Sequence, residues 1–250
     1  MPDRLKAYLL NLYFYALFLV CSAVGIPVLT IFVGSTRFFL TRRMAMKRFR
    51  RAISWYGRLV TAIPYPFVRV RYEDRSGGDS GGPYIFVCNH RSASDAFLMS
   101  VLPHECVQIV NVWPFRIPVL GWYAKLSGYL NIKMMSPELF MEKAMHLLRD
   151  GVSIIFFPEG TRSAGRKMGS FHGAAFRLAL ASRAPVVPLC ISGNENIPPK
   201  GSLLLRPGTI RVRRLPEITW GEYKDMTAFA FKNRAWKIID GELAAMENRA

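Results

Sequence analysis

Acidic side chains are scarce. The 250 residues hold 17 Asp and Glu against 34 Lys and Arg, a net charge of +17, which draws the chain toward anionic partners such as a membrane surface or nucleic acid. Cysteine is sparse as well. Cys21, Cys88, Cys106 and Cys190 stand far apart with no CxxC or CxH pair, which excludes a disulfide scaffold and a zinc site and fits reduced, buried thiols in a cytoplasmic protein. Zinc-finger spacing, an RNP aromatic motif and a basic zipper are all missing, so no nucleic-acid partner is expected. There is no internal repeat, and the single low-complexity stretch is the Gly- and Ser-rich loop Ser76 to Pro83. With 51% hydrophobic residues, the chain can bury a core and is not a disordered tail.

Charge is also missing locally. From Ala7 to Thr36 there is no charged residue, and the run Tyr8 to Gly34 is built of Leu, Phe, Tyr, Val and Ile. As one straight helix the run is roughly 40 Å long, against about 30 Å of hydrocarbon, and it exceeds the h-region of a signal peptide. Gly25-Ile26-Pro27 invites a break, so a single span and a helix pair dipping into one leaflet fit equally. Arg4 and Lys6 precede the run, while Arg37, Arg42, Arg43, Lys47, Arg48, Arg50 and Arg51 follow it. That heavier basic flank predicts an inner (cytoplasmic) membrane protein whose body faces the cytoplasm. From Thr41 to Ile63, Met46, Phe49, Ile53, Tyr56 and Val60 recur at helical spacing between cations. This reads either as a basic amphipathic helix at the lipid surface or as a surface helix packed on the domain.

From Phe67 on, short apolar runs alternate with helical patterns, which predicts an α/β fold: a mixed central sheet flanked by helices, behind an N-terminal hydrophobic helical membrane anchor. Residues 1–63 are assigned to the anchor and basic helix, and 64–250 to a catalytic domain. Strands are expected at Phe67 to Glu73, Tyr84 to Cys88, Cys106 to Val110, Tyr129 to Lys133, Val152 to Phe157, Val186 to Ser192 and Thr209 to Leu215. Helices are expected at Asp95 to Leu102, Val119 to Ser127, Glu138 to Arg149, Ala174 to Ala181, and from Glu222 to about Met246.

The loop string Gly78-Asp79-Ser80-Gly81-Gly82-Pro83 reproduces the nucleophile motif of trypsin-like serine proteases. That reading fails, because the histidine of that triad precedes the aspartate and serine, and no histidine occurs here before His90. Turn residues between two strands explain the string.

Two other strings carry chemistry. Asn89-His90-Arg91-Ser92-Ala93-Ser94-Asp95 lies where a buried strand gives way to a helix, the usual place for a site in an α/β protein. A carboxylate that accepts from one imidazole nitrogen raises the basicity of the other, which can then take a proton from a substrate hydroxyl. Taken alone, the same residues also suit a helix cap by Ser94 or Asp95. Phe156-Phe157-Pro158-Glu159-Gly160-Thr161-Arg162-Ser163 follows a second buried strand, and its turn displays a carboxylate, a hydroxyl and a guanidinium fork suited to phosphate.

Together these strings make the chain resemble the glycerolipid acyltransferases of the lysophosphatidate (1-acyl-sn-glycerol-3-phosphate) acyltransferase type. That family carries N-H-x4-D, a G-x-x-x-I-x-R-like block, F-P-E-G-T-R-S and a late proline-containing strand, in this order. His90 and Asp95 fill the first block, Phe157 to Ser163 the third, and Val187-Pro188-Leu189 the fourth, over about Tyr84 to Gly193. The resemblance implies His90 as general base and Asp95 as the carboxylate that orients it. It also implies Glu159, Gly160, Thr161 and Arg162 as acceptor-binding residues.

The second block departs from the pattern. Gly128-Tyr129-Leu130-Asn131-Ile132-Lys133-Met134 has Met134 where the family usually has a phosphate-binding arginine; Lys133 is the candidate substitute, although on a strand it faces the opposite way. His172 stands where the family often has lysine, and Arg166 and Lys167 are further cationic candidates.

The implied reaction is direct acyl transfer from acyl-CoA or acyl carrier protein as cosubstrate to a lyso-lipid acceptor in the bilayer, with no metal or bound cofactor. Cys88, at the end of an apolar strand, is expected to be an inert core thiol. A different lyso-lipid, such as a lyso-ornithine lipid, is the alternative acceptor, and a non-catalytic membrane-binding protein is the alternative class.

Overall fold

The computed structural model describes residues 2–78, 80–110, 120–163, 167–199 and 201–248. Seven strands and eight α-helices occur among them. They fall into two compact units, neither of them one continuous stretch of chain: unit 1 comprises Met1–Arg71, Arg91–Pro103 and Gly193–Arg211, and unit 2 comprises Tyr72–His90, His104–Ser192 and Val212–Ala250. The two do not coincide with a single cut after residue 63.

Unit 1 begins with α1 (Pro2–Thr36) and α2 (Arg42–Ala62). Helix α1 runs unbroken through Pro27, in contrast to the break that Gly25-Ile26-Pro27 invites. Proline removes one N–H from the ladder, and the cooperative turns on both sides of it in this 35-residue helix carry the helix past it. Thr41 opens α2, its hydroxyl accepting from the Met44 N–H at 3.4 Å. The Tyr56 and Ser22 hydroxyls meet at 2.7 Å and join α2 to α1. Gly57 lets α2 close on the helical turn Met99–Val101, since a Cβ there would lie 2.8 Å from the Ser100 Cβ. The Arg58 Nε donates to the Ser100 carbonyl at 2.7 Å. The short helix α3 (Asp95–Leu98) completes this group.

Unit 2 is the α/β body. Its strands are β2 (Ile85–Cys88), β3 (Cys106–Val110), β4 (Leu130–Asn131), β5 (Ser153–Phe156) and β6 (Val186–Ser192), with the second halves of β1 (Val68–Asp74) and β7 (Gly208–Arg214). The sheet order is β1-β7-β6-β2-β5-β3-β4. Strand β2 is parallel to both β5 and β6, and β3 to both β5 and β4. Strands β2, β5 and β6 are buried along their whole length, as the continuous Val, Ile and Phe runs of central parallel strands require.

Helices α4 (Leu120–Leu126), α5 (Pro137–Arg149), α6 (Ala174–Ser182), α7 (Trp220–Tyr223) and α8 (Ala228–Glu247) complete unit 2. The expected start at Val119 lies outside the described residues. Helix α5 opens on Ser136, whose hydroxyl accepts from the Leu139 N–H at 3.2 Å, and stops at Gly151 with φ +77°. Thr227 caps α8 in the same way at 3.2 Å. Its buried residues Phe231, Ala235, Ile239, Leu243 and Met246 form one face. Where one C-terminal helix was expected, Thr219 and Glu222 form a capping box that makes α7 a separate turn. Tyr223 closes the core, its hydroxyl donating to the Ala184 carbonyl at 2.6 Å and its ring stacked on Phe231 at 4.4 Å. Burial pushes that phenol up to about 12.

Two left-handed glycines separate backbone strain from close approach. Gly193 has φ +80°, and a Cβ on it would lie 2.2 Å from the Thr209 carbonyl oxygen, whereas Gly151 has φ +77° with open space around it. Gly151→Ala should therefore cost about 1–2 kcal/mol, the left-handed penalty alone. Gly193→Ala should cost clearly more, because backbone must move as well. Chemical denaturation of both variants checks the ranking, and equal midpoints would contradict it.

Candidate active site

The site starts where β2 ends. Asn89, fully buried, follows Cys88, and its side chain donates to the Ile191 carbonyl at 2.9 Å and accepts from the Ile191 N–H at 2.8 Å. An amide side chain thus extends the β2–β6 pairing by one rung and fixes where the chain leaves the sheet. His90 is the next residue.

The main chain of His90 is held on both sides by one turn. Its N–H donates to Glu159 Oε1 at 2.7 Å, and its carbonyl accepts from the Ser163 N–H at 2.9 Å and the Ser163 hydroxyl at 3.1 Å. The His90 ring centroid lies 4.7 Å from that of Phe157. The second Glu159 oxygen, Oε2, accepts from the Gly169 N–H at 2.8 Å. The carboxylate, only 5% exposed, therefore joins the His90 backbone to the Gly169 backbone. Burial raises its pKa above the usual glutamate value, partly offset by the His90 and Gly169 N–H donors.

The turn itself depends on Gly160. With φ +68° it takes a left-handed conformation, and a Cβ there would lie 3.0–3.1 Å from the His172 ring. The His172 N–H donates to the Pro158 carbonyl at 2.7 Å. Thr161 is exposed and Arg162 half-buried at the same turn.

In unit 1, the fully buried Asp95 organises the loop in front of α3. Its Oδ2 accepts from the Arg91 N–H at 2.8 Å and the Ser92 N–H at 3.0 Å, and its Oδ1 accepts from the Asn194 amide. Ser94, the other candidate cap, makes no side-chain cap bond. Arg91 pairs with Glu195, and the Ser92 hydroxyl donates to the Ile197 carbonyl at 2.9 Å. The side chains of Arg91, Ser92 and Asp95 thus tie this loop onto the segment after Gly193. Sequence reading missed Asn194 and Glu195, because their partners lie 99 and 104 residues away and no local pattern marks them.

Lys133 lies elsewhere. Strand β4 contains Leu130 and Asn131 alone, and the chain turns from Ile132 to Met135, with the Lys133 N–H donating to Asn131 Oδ1 at 2.9 Å. The expected strand to Lys133 is therefore too long, and the alternation that would set Lys133 and Met134 on opposite faces does not apply. Strand β4 is the edge strand, three places from β2, or about 14 Å at the usual strand spacing. Both Lys133 and Met134 are exposed there. Lys167 is exposed, and Arg166 lies outside the described residues. Cys88 is fully buried. Among the described residues, no three His, Cys, Asp or Glu side chains gather as a metal site.

A family model described as Acyltransferase matches residues 68–192, half of the chain. The chain belongs to the acyltransferase family. The two motif strings that the turn brings together both lie within the matched region.

Among curated relatives, the chloroplastic 1-acyl-sn-glycerol-3-phosphate acyltransferase of Arabidopsis thaliana is 35% identical over 153 residues, covering 59% of this chain and 43% of its own. That of Limnanthes alba is 28% identical over 197 residues, covering 69% and 70%. The chain spans less than half the length of the chloroplastic relatives. The crystal structure of the 1-acyl-sn-glycerophosphate acyltransferase of Thermotoga maritima matches with a TM-score of 0.79 over 98% of both chains at 23% identity, which shows the shared fold.

Glu159→Gln should test the carboxylate bridge. Glutamine offers one oxygen where two backbone N–H groups need acceptors, so a loss of about 1–3 kcal/mol is expected by chemical denaturation at neutral pH. Because the pKa of Glu159 is raised in the folded state, the wild type gains stability relative to Glu159→Gln as pH falls through that raised value. A stability difference independent of pH would contradict the raised value. Asn194→Ala, which strips a donor from buried Asp95, should also cost about 1–3 kcal/mol. An unchanged melting temperature would show that this bond contributes nothing.

Proposed function

We propose that the protein acylates the free hydroxyl of 1-acyl-sn-glycerol-3-phosphate to give phosphatidate, drawing the acyl chain from acyl-CoA or acyl carrier protein. The observation that carries this reading is the clamp on His90: the Pro158–Ser163 turn, matching the family string, grips the main chain of the matching histidine through Glu159 and Ser163. The names of the relatives supply the acceptor.

In this mechanism the acceptor oxygen attacks the thioester carbonyl while His90 takes its proton. The tetrahedral intermediate collapses, the carbon–sulfur bond breaks, and the thiolate leaves with a proton returned by the imidazolium. Asp95 is the carboxylate partner of His90 in the motif. Glu159 acts by fixing the His90 backbone, and Gly160 by allowing the turn. Thr161 and Arg162 face the acceptor phosphate, where the guanidinium forms a bidentate contact. Neither metal nor bound cofactor takes part in this scheme.

Helix α1 is long and apolar enough to cross a membrane, by length and composition. Together with a net charge of +17, this supports attachment to an anionic membrane, the inner membrane with the catalytic unit toward the cytoplasm. Met134, 69% exposed where the family motif has arginine, favours a second reading in which the acceptor is another lyso-lipid.

With purified protein in vesicles, His90→Ala should lower acyl transfer to lysophosphatidate by roughly 10²- to 10⁴-fold, the usual worth of a general base. Arg162→Ala should raise KM for this acceptor about tenfold or more and leave acceptors without phosphate unaffected, as loss of a charge-assisted contact implies. Acylation of a different lyso-lipid alone selects the second reading. Equal activity of His90→Ala and wild type overturns the mechanism.

A further inference from the structure

Two of the polar residues of α1, Asn11 and Tyr15, are bonded to one loop of the same unit. The Asn11 amide donates to the Leu205 carbonyl at 2.8 Å and accepts from the Leu205 N–H at 2.8 Å, as a strand rung would. The Tyr15 hydroxyl donates to the Leu203 carbonyl. The loop is ordered at other points as well: the Ser202 hydroxyl accepts from the Leu204 N–H at 3.0 Å, and the Arg206 N–H donates to the Asn196 carbonyl at 3.0 Å. Leu205 turns inward at 5% exposure, while Leu203 and Leu204 remain 75% and 62% exposed. On α1 itself, Leu5, Tyr8, Leu9 and Leu12 are exposed too.

We propose that Leu203 and Leu204 form a second lipid-inserting element that enters an anionic bilayer beside the first third of α1. This rests on the reading that α1 docks on membrane. The Leu203 carbonyl is bonded to Tyr15, the Leu204 N–H to Ser202 and both backbone groups of the adjacent Leu205 to Asn11, which suits insertion, because carbonyl and N–H groups are tolerated near hydrocarbon only when paired. The charge of the N-terminal stretch names the occupant. Between Arg4 and Tyr72 the sequence has twelve Lys and Arg and no acidic residue, and Arg206 follows the leucines directly. Apolar tips in a cationic setting match anionic headgroups over acyl chains. Arg206 and the ends of the loop set its depth at the headgroup boundary, where Asn11 and Tyr15 then also lie.

The test places an environment-sensitive fluorophore on single added cysteines at Leu203, at Leu12 on α1 and at Glu138 on α5, in the full chain, with labelled wild type as the blank. Vesicles of phosphatidylglycerol and phosphatidylcholine carry lipids spin-labelled at shallow depth. The expected result is quenching at positions 203 and 12 and none at 138. The double variant Leu203→Glu/Leu204→Glu should bind vesicles about tenfold or more weakly, from lost apolar burial, and acylate a monomeric short-chain acceptor at the wild-type rate. Quenching at 12 without quenching at 203 overturns the loop while leaving membrane docking intact. Absence of quenching at both overturns docking and the loop together. Loss of a wild-type dimer in the double variant, with vesicle binding unchanged, assigns the leucines to a second copy and also overturns the proposal.

Discussion

A single buried carboxylate carries the geometry of the candidate site. Glu159 accepts from the N–H groups of His90 and Gly169, three stretches of chain that no local structure holds together. Removing a carboxylate from water is unfavourable, and the raised pKa of Glu159 records that cost. Two N–H donors offset it, and would themselves be left without acceptors if the carboxylate were lost. The residue thereby converts a sequence separation of 69 positions into a fixed placement of the His90 main chain.

This changes the sense of the motif. Read as a string, Glu159 and Arg162 look like equivalent polar tips on one turn. In the structure they differ: Glu159 points inward and spends both oxygens on backbone, whereas Thr161 is exposed and Arg162 half-exposed. The first motif divides similarly. Asn89 extends the sheet, His90 is fixed through its main chain, and Asp95 spends its oxygens on the Arg91 and Ser92 N–H groups and the Asn194 amide. Much of each string is scaffolding that fixes the main chain around His90 and in front of α3.

The N-terminal region follows the same logic of satisfied polar groups. Asn11, Tyr15 and Ser22 lie on a long apolar helix, and each has a specific protein partner: Leu205, Leu203 and Tyr56. Helix α1 thus contacts defined protein elements along part of its surface and leaves apolar side chains exposed elsewhere.

The sequence by itself determined the α/β class, most strand and helix positions, the long apolar helix and the two motif strings. Periodicity, caps and buried runs are local signals, and Cys106–Val110 and Val186–Ser192 fall where short apolar runs place them. Its misreadings are local signals overruled by their surroundings. Tyr129–Lys133 shrank to two paired residues at the sheet edge, and of the two forms open for the apolar run the structure has the unbroken helix through Pro27. What only the tertiary structure decided is which backbone each polar side chain satisfies. Asn194 on Asp95, Glu159 on Gly169 and Asn11 on Leu205 join positions whose separations leave no periodic trace. A hydrogen bond is set by where two atoms meet in space, and that meeting exists only once the strands have found their order.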